Sequence, residues 1–183
     1  PTRAEHVREE FGETVRVVLD GGECKVGLES TIVACLDGAV RLLRPGAITL
    51  SQLRREVGEV SSGPAVDSPR APGSSRAHYA PATPLRLVAA GLIESLAAEL
   101  SAQGQRVGVL AQRPPLHSYP RLTWINAGTR PESYAHDLYA HLRTLDRAGA
   151  GCLLVQEVPG DELWDAVRDR LTRAAAANIT ELP

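Results

Sequence analysis

The spacing of apolar positions changes several times along the 183 residues, and each change marks an element. Thr2-x-x-Glu5 reads as a capping box, opening a helix that Gly12 stops. Val15–Leu19 is a short β-branched run turned by Asp20-Gly21-Gly22, which predicts a strand. Leu28–Leu36 and Ala39–Arg44 flank Asp37-Gly38, a pair that tolerates the positive φ of a type I′ hairpin turn. Thr49-x-x-Gln52 is a second capping box, with Gly58 as the stop. Residues 1–60 would bury a poor core alone, so they read as the tail of a larger sheet domain.

The pattern then breaks. Residues 61–84 hold five Pro, five Ser and five Ala, with one Val and no Leu, Ile or Phe. That composition reads as an interdomain linker. The His78-Tyr79 pair inside it is more than a spacer needs. From residue 85 to 183 strands and helices alternate. Leu85–Val88, Arg106–Leu110, Leu122–Asn126 and Gly151–Val158 read as strands. Leu92–Leu100 and Glu132–Arg147 read as helices, the second with Tyr134, Leu138, His141, Leu142 and Leu145 on one stripe. Asp161 caps a last helix running to about Ala175, with Leu163, Val167, Leu171 and Ala174 inward. This alternation implies βαβ units, hence a small three-layer α/β domain with a mostly parallel sheet.

Composition narrows the class. Apolar residues make up 43% and the formal net charge is -2, so direct nucleic-acid or anionic-membrane binding is not expected. Nineteen of the 20 basic residues are arginine, scattered along the chain. Cys24, Cys35 and Cys152 are odd in number and form no CxxC pair, which favours a reducing, cytoplasmic setting. No apolar run is long enough to span a bilayer as a helix. The chain has no methionine and opens on Pro1, which fits a piece whose start lies upstream.

The hairpin carries the candidate chemistry. If Asp37-Gly38 is a two-residue turn, simple counting pairs Val33 with Leu42, Thr31 with Arg44, and Ser30 with Pro45. Thr31 and Arg44 then share a face, about 5 Å apart at Cβ, with Ser30 on the other face. Pro45-Gly46 ends the strand and leaves the guanidinium at a rim. Two hydroxyls and one permanent cation suit a phosphate or carboxylate. The pattern alone fits the plainer reading better, in which Arg44 pairs with Glu29 or another surface carboxylate.

Three blocks, "VGLESTIV", "RLLRPGAIT" and "APGSSRAHYAP", stand in the order and spacing of a known family. The chain resembles the second half of the two-domain threonylcarbamoyl-AMP synthases, whose YrdC-like catalytic domain is joined by a linker to a smaller, Rossmann-like α/β domain. The resemblance implies the end of the catalytic domain over 1–60, the linker and active-site lid over 61–84, and the small domain over 85–183. It implies that bicarbonate and L-threonine form a carbamate, which attacks the α-phosphate of ATP to give threonylcarbamoyl-AMP and pyrophosphate. A separate tRNA threonylcarbamoyl transferase complex would then use the product. By this resemblance Ser30 contacts threonine, and Arg44 and Tyr79 contact ATP. Thr31, Arg76 and His78 are auxiliary candidates, Arg76 as a replacement for basic residues the family carries before "HYAP". Magnesium would accompany ATP, and no metal cage in the chain is expected. The family's lysine–arginine pair and Ser-Ala-Asn motif would lie before Pro1, so the chain alone would be inactive. A dimer is left open.

Other constellations carry less. Ser30, His78 and Asp37 lack the GxSxG elbow of a hydrolase. His136 and His141 are five apart, the wrong spacing for one helix face. Glu157 and Asp161 sit where α/β sheets bind ligands, but Asp161 also serves as a helix cap. Trp124 and Trp164 read as core or as contacts between subdomains. The alternative of another class is a regulatory or nucleotide-binding α/β module that docks on a separate catalytic domain.

Overall fold

In the computed structural model, residues 1–63, 69, 71–72 and 80–176 are described. Helix α1 (Ala4–Phe11) is followed by a 3-10 turn and then, up to Ile32, by a segment without regular secondary structure. The first sheet then forms from β1 (Ile32–Leu36), β2 (Ala39–Arg44) and β3 (Val60–Ser62), with α2 (Leu50–Val57) between the last two. β1 and β2 are antiparallel and β3 lies parallel to β2, so β2, α2 and β3 make a small crossover unit. Asp37 and Gly38 have φ of 51° and 77°, as the type I′ turn requires. Thr49 accepts from Gln52 N while the Gln52 side chain accepts from Thr49 N, so the second capping box closes in both directions.

Two expectations for this half are corrected. The first capping box does not form. Arg3 takes the N-cap position without a side-chain capping bond, and Thr2 is instead buried, its amide donating to His6 Nδ1. Val15–Leu19 is not a strand; the third strand of this sheet comes from 60–62. Val17 and Leu19 remain 75% and 90% exposed, and a strand needs a ladder partner that these residues lack among the described ones.

The second half follows the predicted alternation. β4 (Leu85–Val88), β5 (Val107–Ala111), β6 (Leu122–Asn126) and β7 (Cys152–Gln156) form a fully parallel sheet in the order β4-β7-β5-β6. α3 (Ile93–Ala102) packs with Val107, Val109 and Leu154 on one face. α4 (Pro131–Arg147) and α5 (Asp165–Ala176) pack with Leu110, Leu153 and Val155 on the other. Neighbouring residues of β5 and β7 thus feed opposite cores, which gives three layers. Asp161 caps a 3-10 turn ahead of α5; Leu163 points out, 59% exposed, and Trp164 goes in against Tyr134. Leu28 joins this second core, so the two halves share packing.

Candidate functional site

The hairpin end departs from simple counting. Leu36 pairs with Ala39 and Val33 with Leu42 as expected, but a bulge between Ile32 and Val33 pairs Ile32 with Arg44. One extra residue on β2 shifts every later position by one, so the predicted pairing of Thr31 with Arg44 is lost. Thr31 turns to the loop after the strand, where its hydroxyl donates to Ile48 O at 2.9 Å and accepts from Ile48 N at 3.1 Å. Ser30 takes its place beside the arginine. Arg44 Nε and Nη2 donate to Ser30 O at 3.1 and 3.0 Å, and Nη2 reaches Ser30 Oγ at 3.3 Å.

Arg44 is not at an open rim, since only 6% of it is exposed. Its Nη1 donates to the linker carbonyl of Pro72 at 2.6 Å. Among the described residues no carboxylate pairs with it. The plain reading, an Arg44–Glu29 pair, is therefore not what forms. A buried guanidinium satisfied by carbonyls and a hydroxyl keeps its whole positive charge, the arrangement that favours an approaching anion. Gly46 makes the close approach of the strands feasible. A Cβ there would lie 2.3 Å from Thr31 N, 2.6 Å from the Ser30 carbonyl carbon and 2.7 Å from Glu29 O.

Glu29 belongs to the second half of the chain. Its carboxylate accepts from Arg170 Nε of α5 at 2.7 Å and from the Tyr139 hydroxyl of α4 at 3.0 Å. Burial works to raise its pKa, but the Arg170 bond, its own backbone N–H and the Tyr139 hydroxyl hold it below the usual value. Arg170 also reaches Pro45 O at 3.3 Å and Asp169 Oδ2 at 2.5 Å. Further ties cross between the halves: Glu162 accepts from Ser51 N at the start of α2, Arg147 pairs with Glu9 at 3.0 Å, and His136 bonds Cys24 O at 2.9 Å, while Asp146 holds the end of the linker by accepting from Ala82 N and Thr83 N. Gly27 lies so close to α4 that a Cβ would be 2.2 Å from His136 O. Arg170 and Tyr139 were not singled out from sequence. The available signal was a charged residue standing in the 167, 171, 174 stripe of a helix otherwise read as core.

A cavity of about 440 Å³ runs between the halves, lined in part by His6, Phe11, Glu29, Pro81, Tyr139 and Arg143. Its lining includes neither Ser30 nor Arg44. Tyr79, Arg76 and His78 fall outside the described residues. The carboxyl edge of the parallel sheet is filled by the chain itself. Gln156 and Gln112 bond each other, and Glu94 takes Leu116 N, Tyr119 OH and the Arg113 guanidinium. Asp161 is spent as a cap, with its Oδ1 accepting from Leu163 N, and Glu157 is exposed. Among the described residues no group of three His, Cys, Asp or Glu could hold a metal, and no helix is long and apolar enough to cross a membrane.

Residues 48–176 match the family model described as "Threonylcarbamoyl-AMP synthase, C-terminal domain". Residues 1–46 match the Sua5/YciO/YrdC model, described as "Telomere recombination". A threonylcarbamoyl-AMP synthase of Pyrococcus abyssi is 33% identical over all of this chain and 56% of its own length. That of Bacillus subtilis is 31% identical over 98% of this chain and 54% of its own. A crystal structure of P. abyssi Sua5 with L-threonine superimposes with a TM-score of 0.83 at 31% identity, covering 97% of this chain and 54% of that one. The chain thus spans little more than half the length of the relatives it matches.

Proposed function

Since this chain belongs to the threonylcarbamoyl-AMP synthase family, we propose that it supplies the carboxy-terminal part of an L-threonylcarbamoyladenylate synthase, a nucleotidyltransferase acting in tRNA modification. The observation that carries this reading is the Ser30–Arg44 pair: an exposed hydroxyl against a buried guanidinium that no carboxylate neutralises among the described residues. Ser30 takes the threonine side of the site and Arg44 the ATP phosphates, with Tyr79 reaching ATP from the linker. A Sua5 relative crystallised with L-threonine supports threonine as one of the substrates.

The reaction asks for placement and for neutralised charge. The threonine amine adds to bicarbonate with loss of water, giving a carbamate. A carbamate oxygen attacks the α-phosphorus of ATP and pyrophosphate leaves. Arg44 offsets phosphate charge from a site already partly desolvated, where a fixed cation acts more strongly than in water. Ser30 orients the amino acid for attack. Magnesium would come as the counter-ion of ATP: the carboxylate nearest the pair in sequence, Glu29, is already held by Arg170 and Tyr139, so these residues do not fit a resident ion. A tRNA threonylcarbamoyl transferase would consume the product, and the three free cysteines suit a cytoplasmic setting.

The test is pyrophosphate release by the longest chain the gene encodes, leaving out threonine and bicarbonate in turn. Release that needs both is expected, with the 183-residue chain silent beside it. Release that ignores threonine would refute the reading. A second reading, a nucleotide-binding module that docks on a catalytic domain, draws on the closed three-layer core of residues 85–176. It predicts nucleotide binding that survives without residues 1–60.

A further inference from the structure

We propose that Arg170 of α5 is a positioning residue for the Ser30–Arg44 site, one guanidinium holding both Glu29 and Pro45, the residues that flank Ser30 and Arg44 at the bulged end of the hairpin. The inference rests on the functional reading above and adds to it a residue of the second domain.

Arg170 stands on the buried stripe of α5 and is 5% exposed. A buried guanidinium is tolerable only where its donors are met. Each nitrogen here has an acceptor: Nε has Glu29 Oε2 at 2.7 Å, Nη1 has Asp169 Oδ2 at 2.5 Å, and Nη2 has Pro45 O at 3.3 Å. The acceptors are themselves fixed. Asp169 is held by Arg173 at 2.8 Å, and the second Glu29 oxygen takes the Tyr139 hydroxyl at 3.0 Å. Two helices of the second domain therefore present a rigid cradle to the hairpin end.

The hairpin end needs such a holder. Regular pairing stops at the bulge beside Ile32, so Glu29 to Thr31 and Pro45 to Gly46 have no ladder to hold them. Their backbones meet at the Gly46 contact, while the Ser30 carbonyl bears two of the Arg44 donors. The Ser30 Oγ contact, at 3.3 Å, is near the limit of a hydrogen bond, so a small shift of either strand breaks it. Releasing Glu29 moves the neighbour of Ser30; releasing Pro45 moves the neighbour of Arg44. Loss of Arg170 should therefore weaken both substrates together, a signature that a change at Ser30 or at Arg44 alone would not share equally.

The experiment uses the full-length enzyme and measures pyrophosphate release against threonine and against ATP. Arg170→Met and Arg170→Lys are compared with Arg147→Ala, which removes another, exposed tie between the halves, the Arg147–Glu9 pair. Arg170→Met is expected to raise both KM values about tenfold, the effect of roughly one lost hydrogen bond, with kcat changed less. Arg170→Lys keeps the charge but cannot span a carboxylate and a carbonyl at once, so both KM values stay raised. Wild-type KM values in Arg170→Met or Arg170→Lys, or an equal rise in Arg147→Ala, would overturn the proposal while leaving the function standing. If the wild-type enzyme shows no threonine-dependent release, the functional reading falls. The clamp is then decided by amide hydrogen exchange: faster exchange at residues 29–32, 43, 44 and 46 in Arg170→Met supports it, and unchanged protection overturns it.

Discussion

Gly46→Ala is the sharpest probe of the hairpin end. The backbone of Gly46 lies outside the left-handed region, so an alanine is not strained by φ, and only space opposes it. The added methyl would sit 2.3, 2.6 and 2.7 Å from three atoms, all of them backbone. Ordinary van der Waals contact begins near 3.4 Å, so the strands must part by about 1 Å, and no side-chain rotamer can absorb the shift. Overpacking of this kind costs ~1–3 kcal/mol, and the absence of a yielding side chain places this case near ~3 kcal/mol. Parting the strands also pulls Ser30 from Arg44, so the KM for both substrates should rise. The assay is urea unfolding of the full-length protein by far-UV circular dichroism, with pyrophosphate release alongside. Gly91→Ala is the matched control, because a Cβ there meets nothing within 4 Å, and a change under ~0.5 kcal/mol is expected. If Gly46→Ala also loses less than ~0.5 kcal/mol and keeps its KM values, the close backbone approach is wrong and the site geometry built on it falls.

Four further outcomes follow from the same contacts. Gly27→Ala should wedge the 26–28 segment off α4, because its Cβ would meet His136 O at 2.2 Å; the linker should then be cut faster in limited proteolysis. Arg44→Met should cut threonine-dependent pyrophosphate release by about 10²-fold, as removal of one charged stabilising group does, and an unimpaired variant would remove Arg44 from the site. His136 has its pKa raised by the Asp137 bond, the Cys24 carbonyl and nearby carboxylates. Its contribution to stability is complete below its usual 6.5 and is lost as pH rises through the raised folded value, so the wild type should lose its urea-midpoint advantage over His136→Gln on going alkaline. Glu29 runs the other way. Its folded pKa lies below its usual 4.5, so its contribution is present above that value and disappears as pH falls through the folded one; the gap between wild type and Glu29→Gln should close in acid.

Local signals in the chain were reliable where the energy that decides them is local. The Asp37-Gly38 turn needs two positive φ angles, and the Thr49–Gln52 box needs two side chains three residues apart. The alternation after residue 85 reports side-chain burial on two faces of one sheet, so the parallel architecture was legible in the sequence. The same rules failed where a distant contact outbid a local one. Thr2 left its cap to be buried, with its carbonyl accepting from Cys24 N and its amide donating to His6. Val15–Leu19 had the residues of a strand and no partner to pair with among the described residues.

The three blocks "GLEST", "LRPG" and "HYAP" were enough to name the family and to choose Ser30 over Thr31 against the counted register. Only the tertiary structure placed the bulge that reconciles the two, since a period-two pattern reads the same with one residue inserted beyond its end. It also decided that Arg44 is buried and that Glu29 belongs to Arg170, a pairing that joins positions 141 residues apart. A turn or a cap is fixed by energies within four residues of itself. An ion pair between Glu29 and Arg170 exists only once both segments have folded, and nothing in the spacing of either segment records the other.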